Sequence, residues 1–181
     1  MKKFFVAAIA AVMAVCVNAQ DIYVGGSLGA WRDGTNHETT ISILPEIGYN
    51  LSENTAIGTT IGWSYDHVKG ASGNVFQIAP YFRYSFFKSE RVSIFCDGGF
   101  SVGAGKTSYD DGDDSDTATI WSIGVKPGIA LNLSDKCSLV AHVGFLGYEG
   151  ANDAAKALDY SDQWGLNFDA TAVTFGFYYT F

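Results

Sequence analysis

Over its last nine residues the chain sets Val173, Phe175, Phe177, Tyr179 and Phe181 against Thr174, Gly176, Tyr178 and Thr180. Successive strand side chains point to opposite faces, so this segment predicts a strand with one wholly apolar side. The same two-residue period runs from Asp21 onward and carries a repeat. Ile43-Leu-Pro-Glu-Ile-Gly-Tyr-Asn-Leu51, Ile78-Ala-Pro-Tyr-Phe-Arg-Tyr-Ser-Phe86 and Val125-Lys-Pro-Gly-Ile-Ala-Leu-Asn-Leu133 each give an apolar residue, a spacer, a proline and then alternating apolar positions. A short polar turn follows each: Ser52 to Asn54, Lys88 to Arg91, Ser134 to Lys136. With the alternating segment beyond each turn, these predict three β-hairpins. Longer polar connections, Arg32 to Thr39, Asp66 to Gly73, Lys106 to Thr117 and Glu149 to Gly165, join them at the opposite end. Eight strands are expected, over 21–31, 40–50, 55–65, 74–86, 92–105, 118–133, 138–148 and 167–181.

Parity sorts these strands into two faces. One collects Ile22, Ile47, Tyr49, Ile57, Ile61, Phe82, Ile94, Phe100, Ile123, Ile129, Leu139, Val143, Phe145 and the C-terminal row. The other collects Ser27, Ser42, Glu46, Thr60, Gln77, Arg83, Asp97, Ser101, Ser122, Lys126, Asn132 and His142, with many glycines. A soluble barrel fills its lumen with apolar side chains and wets its exterior. The chain reads the other way round, polar inside and apolar outside, which fits hydrocarbon around the wall. The expected fold class is all-β: an eight-stranded antiparallel up-and-down transmembrane β-barrel. An even strand number puts both termini on the short-turn, periplasmic rim. Pro45, Pro80 and Pro127 fall on strands, where a missing N–H interrupts the ladder, and their repeated placement predicts a bulge in each hairpin. Phe95, Val140 and Leu146 point inward by parity. Either a bulge shifts their register or the lumen holds apolar plugs, and the pattern fits both.

Residues 1–19 read as a cleaved signal peptide: Lys2 and Lys3, an apolar run from Phe4 to Val17, and a small-residue cleavage site at Val17-Asn18-Ala19. The apolar run is too short to span a bilayer and stay there. Residues 20–181 then form one barrel domain exported from the cytoplasm. Loss of two lysines takes the formal charge from −8 to −10, which excludes general nucleic-acid affinity. Cys96, outward on a strand, and Cys137, in a turn, are not placed to bridge, and no Cys or His cluster has metal-ligand spacing. No cofactor is expected.

Among candidate sites, Glu46, Arg83, Asp97 and Lys126 share the inward parity on four strands, so they are buried charges that must pair. A static salt-bridge network is one reading and a switchable plug the other. Asp110-Asp-Gly-Asp-Asp-Ser-Asp116 lacks the glutamate and flanking helices of a calcium hand and reads as a solvated loop, with weak divalent binding as the alternative. Gly103-Ala-Gly-Lys-Thr107 follows a strand without the glycine or helix of a phosphate loop. His37 and His67 are placed in loops and His142 inside, with no serine and acid assembled around a lipid-facing histidine, so no catalytic residue is expected. Asn152 or Asp153 caps a helical turn over Ala154 to Leu158.

The final strand resembles the C-terminal assembly signal of bacterial outer-membrane barrels, carried here by Thr174, Gly176, Tyr179 and Phe181. Together with the tract Pro45 to Gly58 and the signal peptide, the mature chain resembles the outer-membrane β-barrel domain family of Bacteroidetes-type bacteria, related in build to the OmpA and OmpX barrels. That resemblance implies placement in the outer membrane of a Gram-negative cell. It also implies insertion by the barrel assembly machinery, with outer-membrane lipids and lipopolysaccharide as neighbours. It implies a non-enzymatic porin-like or structural envelope role, with an adhesin acting through extracellular loops as the alternative and a lipid A-modifying enzyme further behind. Unlike OmpA, no peptidoglycan-binding domain is expected beyond Phe181. The OmpA lumen implies the switchable reading of the four charges.

Overall fold

The computed structural model describes residues 21–33, 38–68, 70–109, 115–168 and 174–181. The leader, His37 and most of the acidic loop at Asp110 lie outside them. Six antiparallel strands run in order: β1 (Ile22–Asp33), β2 (Glu38–Asn50), β3 (Thr55–Val68), β4 (Ala71–Lys88), β5 (Val92–Tyr109) and β6 (Ala118–Asn132). A seventh stave is made of β7 (Cys137–His142) and β8 (Phe145–Ala151), and an eighth of β9 (Gln163–Asn167) and β10 (Thr174–Thr180). β6 pairs with β5 on one side and with β7 and β8 on the other, and β10 pairs with both β7 and β1. The sheet therefore closes into an eight-stranded antiparallel barrel.

The three short turns share one device. Ser52, Ser89 and Ser134 each accept, at the side-chain hydroxyl, the backbone N–H three residues on, from Thr55, Val92 and Cys137, at 3.1 Å in each case. The serine supplies a local acceptor that holds the reversal open at a fixed length. At the same rim Thr180 N donates to Lys136 O and Phe181 N to Ile22 O, so the last residues are stitched to their neighbours rather than frayed.

At the far rim the strands outrun the sequence expectation. β3 continues to Val68 and β4 starts at Ala71, so most of the Asp66 to Gly73 connection is strand and His67 belongs to a strand end, not a loop. β5 likewise runs to Tyr109. Polarity marks where a strand leaves the lipid, not where it stops pairing.

The prolines act differently from the expected bulges. The β2–β3 ladder skips Leu44 and Pro45 and the β4–β5 ladder skips Ala79 and Pro80, yet the register is the same above and below each gap. Of the three prolines only Pro127 stands at a change of register; the β4–β5 ladder also shifts between Ser85 and Phe87, away from Pro80. Gly128 pairs with His142 below, Val125 with Leu146 above, and Val143 and Gly144 sit between with Gly144 at φ 78°. That break flips the parity of the seventh stave. Phe145, expected outside, lines the lumen, while Leu146, expected inside, is 52% exposed on the wall. Phe95 and Val140 do point inward and are each 1% exposed. Both readings left open by the sequence are therefore realised, at different heights.

The wall is apolar outside. Ile61, Phe76, Phe100, Ile123 and Phe175 are each more than half exposed. Apart from Ala155 in the connection after β8, the buried side chains among the described residues lie in the lumen, where Tyr23, Ala56, Phe95, Val140 and Tyr178 cluster around Arg83, Ser85, Ser93 and Asp97.

Candidate functional site

The lumen is crossed by one layer of side chains. Arg83 on β4 donates from Nε and Nη2 to the two carboxylate oxygens of Asp97 on β5, both at 2.7 Å, a bidentate pair that fixes both planes. The second oxygen of Asp97 also meets His142 Nε2 at 2.8 Å. An ionised carboxylate only accepts, so the imidazole carries its proton on Nε2. Glu46 on β2 lies 3.6 Å from Arg83 Nη2 and accepts hydroxyl bonds from Tyr178, at 2.7 Å, and from Tyr81, which is bonded in turn to Tyr23. Arg83 Cζ sits 4.0 Å from the Phe95 ring centroid, with Tyr81, Tyr178 and Tyr23 between 5.1 and 5.7 Å. One guanidinium is thus enclosed by two carboxylates and four aromatic faces.

Room for those rings comes from glycine. Each ring of the layer is paired across the ladder with a residue that has no side chain: Tyr23 with Gly48, Tyr81 with Gly58, Phe95 with Gly128 and Tyr178 with Gly25. A Cβ at any of the four would collide with the ring opposite. Aromatic side chains lying over cross-strand glycines are a known way to fill and stiffen a curved sheet. Here the device lets eight staves enclose four rings at one height.

The layer separates two spaces. Toward the long loops is a chamber of about 180 Å³ lined by Ser101, Ser122, Thr60, Gln77, Lys126 and Phe145 among others. The Ser101 and Ser122 hydroxyls bond each other there at 2.7 Å. Toward the short turns is a wider vestibule of about 530 Å³ with Lys88 and Arg91 at its mouth. Tyr178 faces both spaces.

Three of the four charges expected to form the interior network, Glu46, Arg83 and Asp97, meet in this layer. Lys126 does not join their ion pairs. It stands directly opposite Asp97 in the β5–β6 ladder, but its Nζ lies over the Phe145 ring, 5.7 Å from the centroid, on the loop side of the layer. His142, which the register sets opposite Gly128 in the row of Phe95, reaches Asp97 instead, and beyond the break at Val143 and Gly144 Phe145 lies beneath the ammonium. The tyrosines were missed by the sequence reading. Their signal was present in the alternation: Tyr23, Tyr81 and Tyr178 have inward parity and face glycines once the register is drawn. Of the assembly-signal positions, Thr174 and Gly176 lie on β10, Tyr179 packs edge-on to Phe181 with centroids 5.1 Å apart, and Phe181 is bonded to β1. Cys96 and Cys137 are free thiols.

A closed eight-stranded wall, apolar toward its surroundings and polar within, defines an outer-membrane β-barrel. The family described as "Outer membrane protein beta-barrel domain" matches residues 4–181, and the chain belongs to it. Among solved structures it is similar in fold to Neisserial surface protein A, at 12% identity, covering 88% of this chain and 96% of that one with a TM-score of 0.50. OmpT, an outer-membrane protein of Vibrio cholerae, matches at 15% identity over 88% of this chain and 51% of its own, with a TM-score of 0.37. No curated protein sequence matches.

Proposed function

We propose that this protein is a non-enzymatic, porin-like barrel whose narrow polar path is closed by the Arg83 layer and opened by moving Asp97 between two cations. The observation that carries the reading is the ladder row Arg83, Asp97, Lys126, in which one carboxylate lies between cations on both neighbouring strands and engages only the first. A buried pair is costly to break without a replacement partner. Lys126 supplies that partner opposite Asp97 in the ladder, and Glu46 still faces Arg83, so the exchange leaves no charge stranded. The vestibule and chamber are then two halves of one path. An eight-stranded lumen admits water and small ions and little else.

The non-enzymatic part rests on the scatter of His37, His67 and His142 along the sequence, none of them written beside a serine and an acid on a lipid-facing strand. Export through a leader at residues 1–19 and assembly through the strand ending at Phe181 complete the proposal. Adhesion remains the second reading, favoured by the connection between β8 and β9. It carries a short helix, α1 (Asp153–Lys156), capped by the Asn152 side chain, which accepts Ala155 N at 2.9 Å and Thr119 N at 3.0 Å. Loops held this firmly present a fixed surface.

Planar-bilayer recording of the refolded barrel tests the exchange. Wild type is expected to show brief openings of small conductance and Lys126→Ala to lose them. Identical traces from the two proteins would remove Lys126 from the mechanism.

A further inference from the structure

On the outward face of β3, Trp63, Tyr65 and His67 stack in sequence. Each neighbouring pair of centroids is 6.4 Å apart, with planes at 18° and 4°. The register places two polar rows beside this ladder. Tyr65 pairs with Asn74 on β4, which pairs with Lys106 on β5, and His67 pairs with Ser72, which pairs with Ser108. One row lower the surface is hydrocarbon-facing again, Trp63 beside Phe76 and Ala104, with Phe76 64% exposed.

The height of the patch follows from the strand itself. Thr55, the first residue of β3 at the short-turn rim, pairs with the half-exposed Tyr84, and Tyr65 lies ten residues further along. A tilted strand crosses the hydrocarbon in about 9 to 11 residues. Tyr65, Asn74 and Lys106 therefore stand where the apolar core of the outer leaflet gives way to its headgroups.

An aromatic belt at that level is general and accounts for Trp63 and Tyr65 alone. It does not account for Lys106, His67, Asn74, Ser72 and Ser108, two nitrogen bases and three hydrogen-bonding side chains turned outward together on a chain of formal charge −8, with no acidic residue in either row. A lysine ammonium suits a phosphate as a point charge, hydroxyl and amide groups suit sugar hydroxyls, and flat rings suit the apolar face of a pyranose.

We propose that the outward face of β3, β4 and β5 at the loop-side rim, centred on Tyr65, Asn74 and Lys106, binds the phosphorylated sugar headgroup of an outer-leaflet glycolipid. The inference rests on placement of the barrel in the outer membrane and is independent of whether the lumen conducts. Binding there ties one side of the wall to the leaflet, beside the loops and away from the lumen.

The test uses the full barrel refolded in detergent, first confirmed as folded by its heat-modifiable gel band. It is titrated with lipid A, a bisphosphorylated glucosamine disaccharide, with dephosphorylated lipid A, and with phosphatidylglycerol, and binding is read by native mass spectrometry. Lipid A is expected to bind in preference to both others. Lys106→Ala and Tyr65→Ala are each expected to weaken it by about tenfold, the scale of one lost charge-assisted contact, while Lys156→Ala, a cation on the α1 loop, leaves it unchanged. Equal binding of phosphatidylglycerol, or full lipid A affinity in Lys106→Ala, would overturn the site. A missing heat-modifiable band would instead count against the barrel placement on which it rests.

Discussion

At the scale of single residues, Arg83 organises the interior. Arg83 is 8% exposed, and its charge is met by Asp97 at hydrogen-bond distance and by Glu46 further off. Removing one partner of a buried pair strands the other, at a cost of about 3 to 5 kcal/mol, whereas replacing both with apolar groups of similar volume is nearly neutral. Asp97→Ala is therefore expected to destabilise the barrel toward the lower end of that range, since Glu46 still faces the cation. The triple change Glu46→Gln, Arg83→Met and Asp97→Leu, which leaves no carboxylate facing a lost cation, is expected to cost far less. Urea unfolding in lipid vesicles, followed by the gel band shift, measures both. A single variant as stable as wild type would mean that the pair is not buried. Much of this centre was legible in the sequence, because Glu46, Arg83 and Asp97 are charges at inward parity that only mutual pairing can satisfy. The place of Lys126 was not legible, since it depends on which neighbour stands level with it, and the one-residue slip at Gly144 decides that.

Among elements, the hairpins were readable because each is written three times: alternation, a proline, and a serine that closes the turn. The broken stave was not, since nothing in Val143 and Gly144 announces a parity change until Pro127 opposite denies them a ladder donor. Prolines at the other two sites cost a pair of ladder positions and leave the register intact, so the same residue gave a bulge once in three. The connection from β8 to β9 is held by a pair that pH can address. Lys156 Nζ donates to Asp162 Oδ2 at 2.6 Å, and Ala151 N donates to Asp162 Oδ1 at 3.0 Å. The hydrogen bond from Lys156, and then that from the Ala151 amide, hold the Asp162 carboxyl below its ordinary range, while the bond to Asp162 holds Lys156 above its own. A lowered carboxyl pKa contributes stability that is present above the unfolded value and lost as pH falls through the folded one, and a raised ammonium pKa contributes stability lost as pH rises through it. The link thus persists between the two and is weak, because both groups are exposed. In NMR of the detergent-solubilised barrel, the Ala151 amide resonance is expected to stay unmoved as pH falls to about 4, the ordinary carboxyl range, and to shift only below it. Titration of that resonance at the ordinary value would contradict the link.

For the whole molecule, the decisive pattern is the inverted polarity of the wall, which a two-residue period displays without any structure. What the pattern leaves out is the height at which side chains close the lumen. That height is set by four rings lying over four glycines and by the slip in the seventh stave, and both depend on which residues meet across strands. A barrel so filled has a chamber and a vestibule with one layer of side chains between them, and the porin-like reading proposed above makes that layer the control of conductance. The direct measurement is the planar-bilayer conductance of wild type beside Phe95→Ala, which takes the ring from the centre of the layer and leaves every charge in place. A plugged lumen predicts a wild type that is silent apart from brief small openings and a variant that conducts continuously. A wild type already conducting at the level of the variant, or a folded variant as closed as wild type, would contradict it.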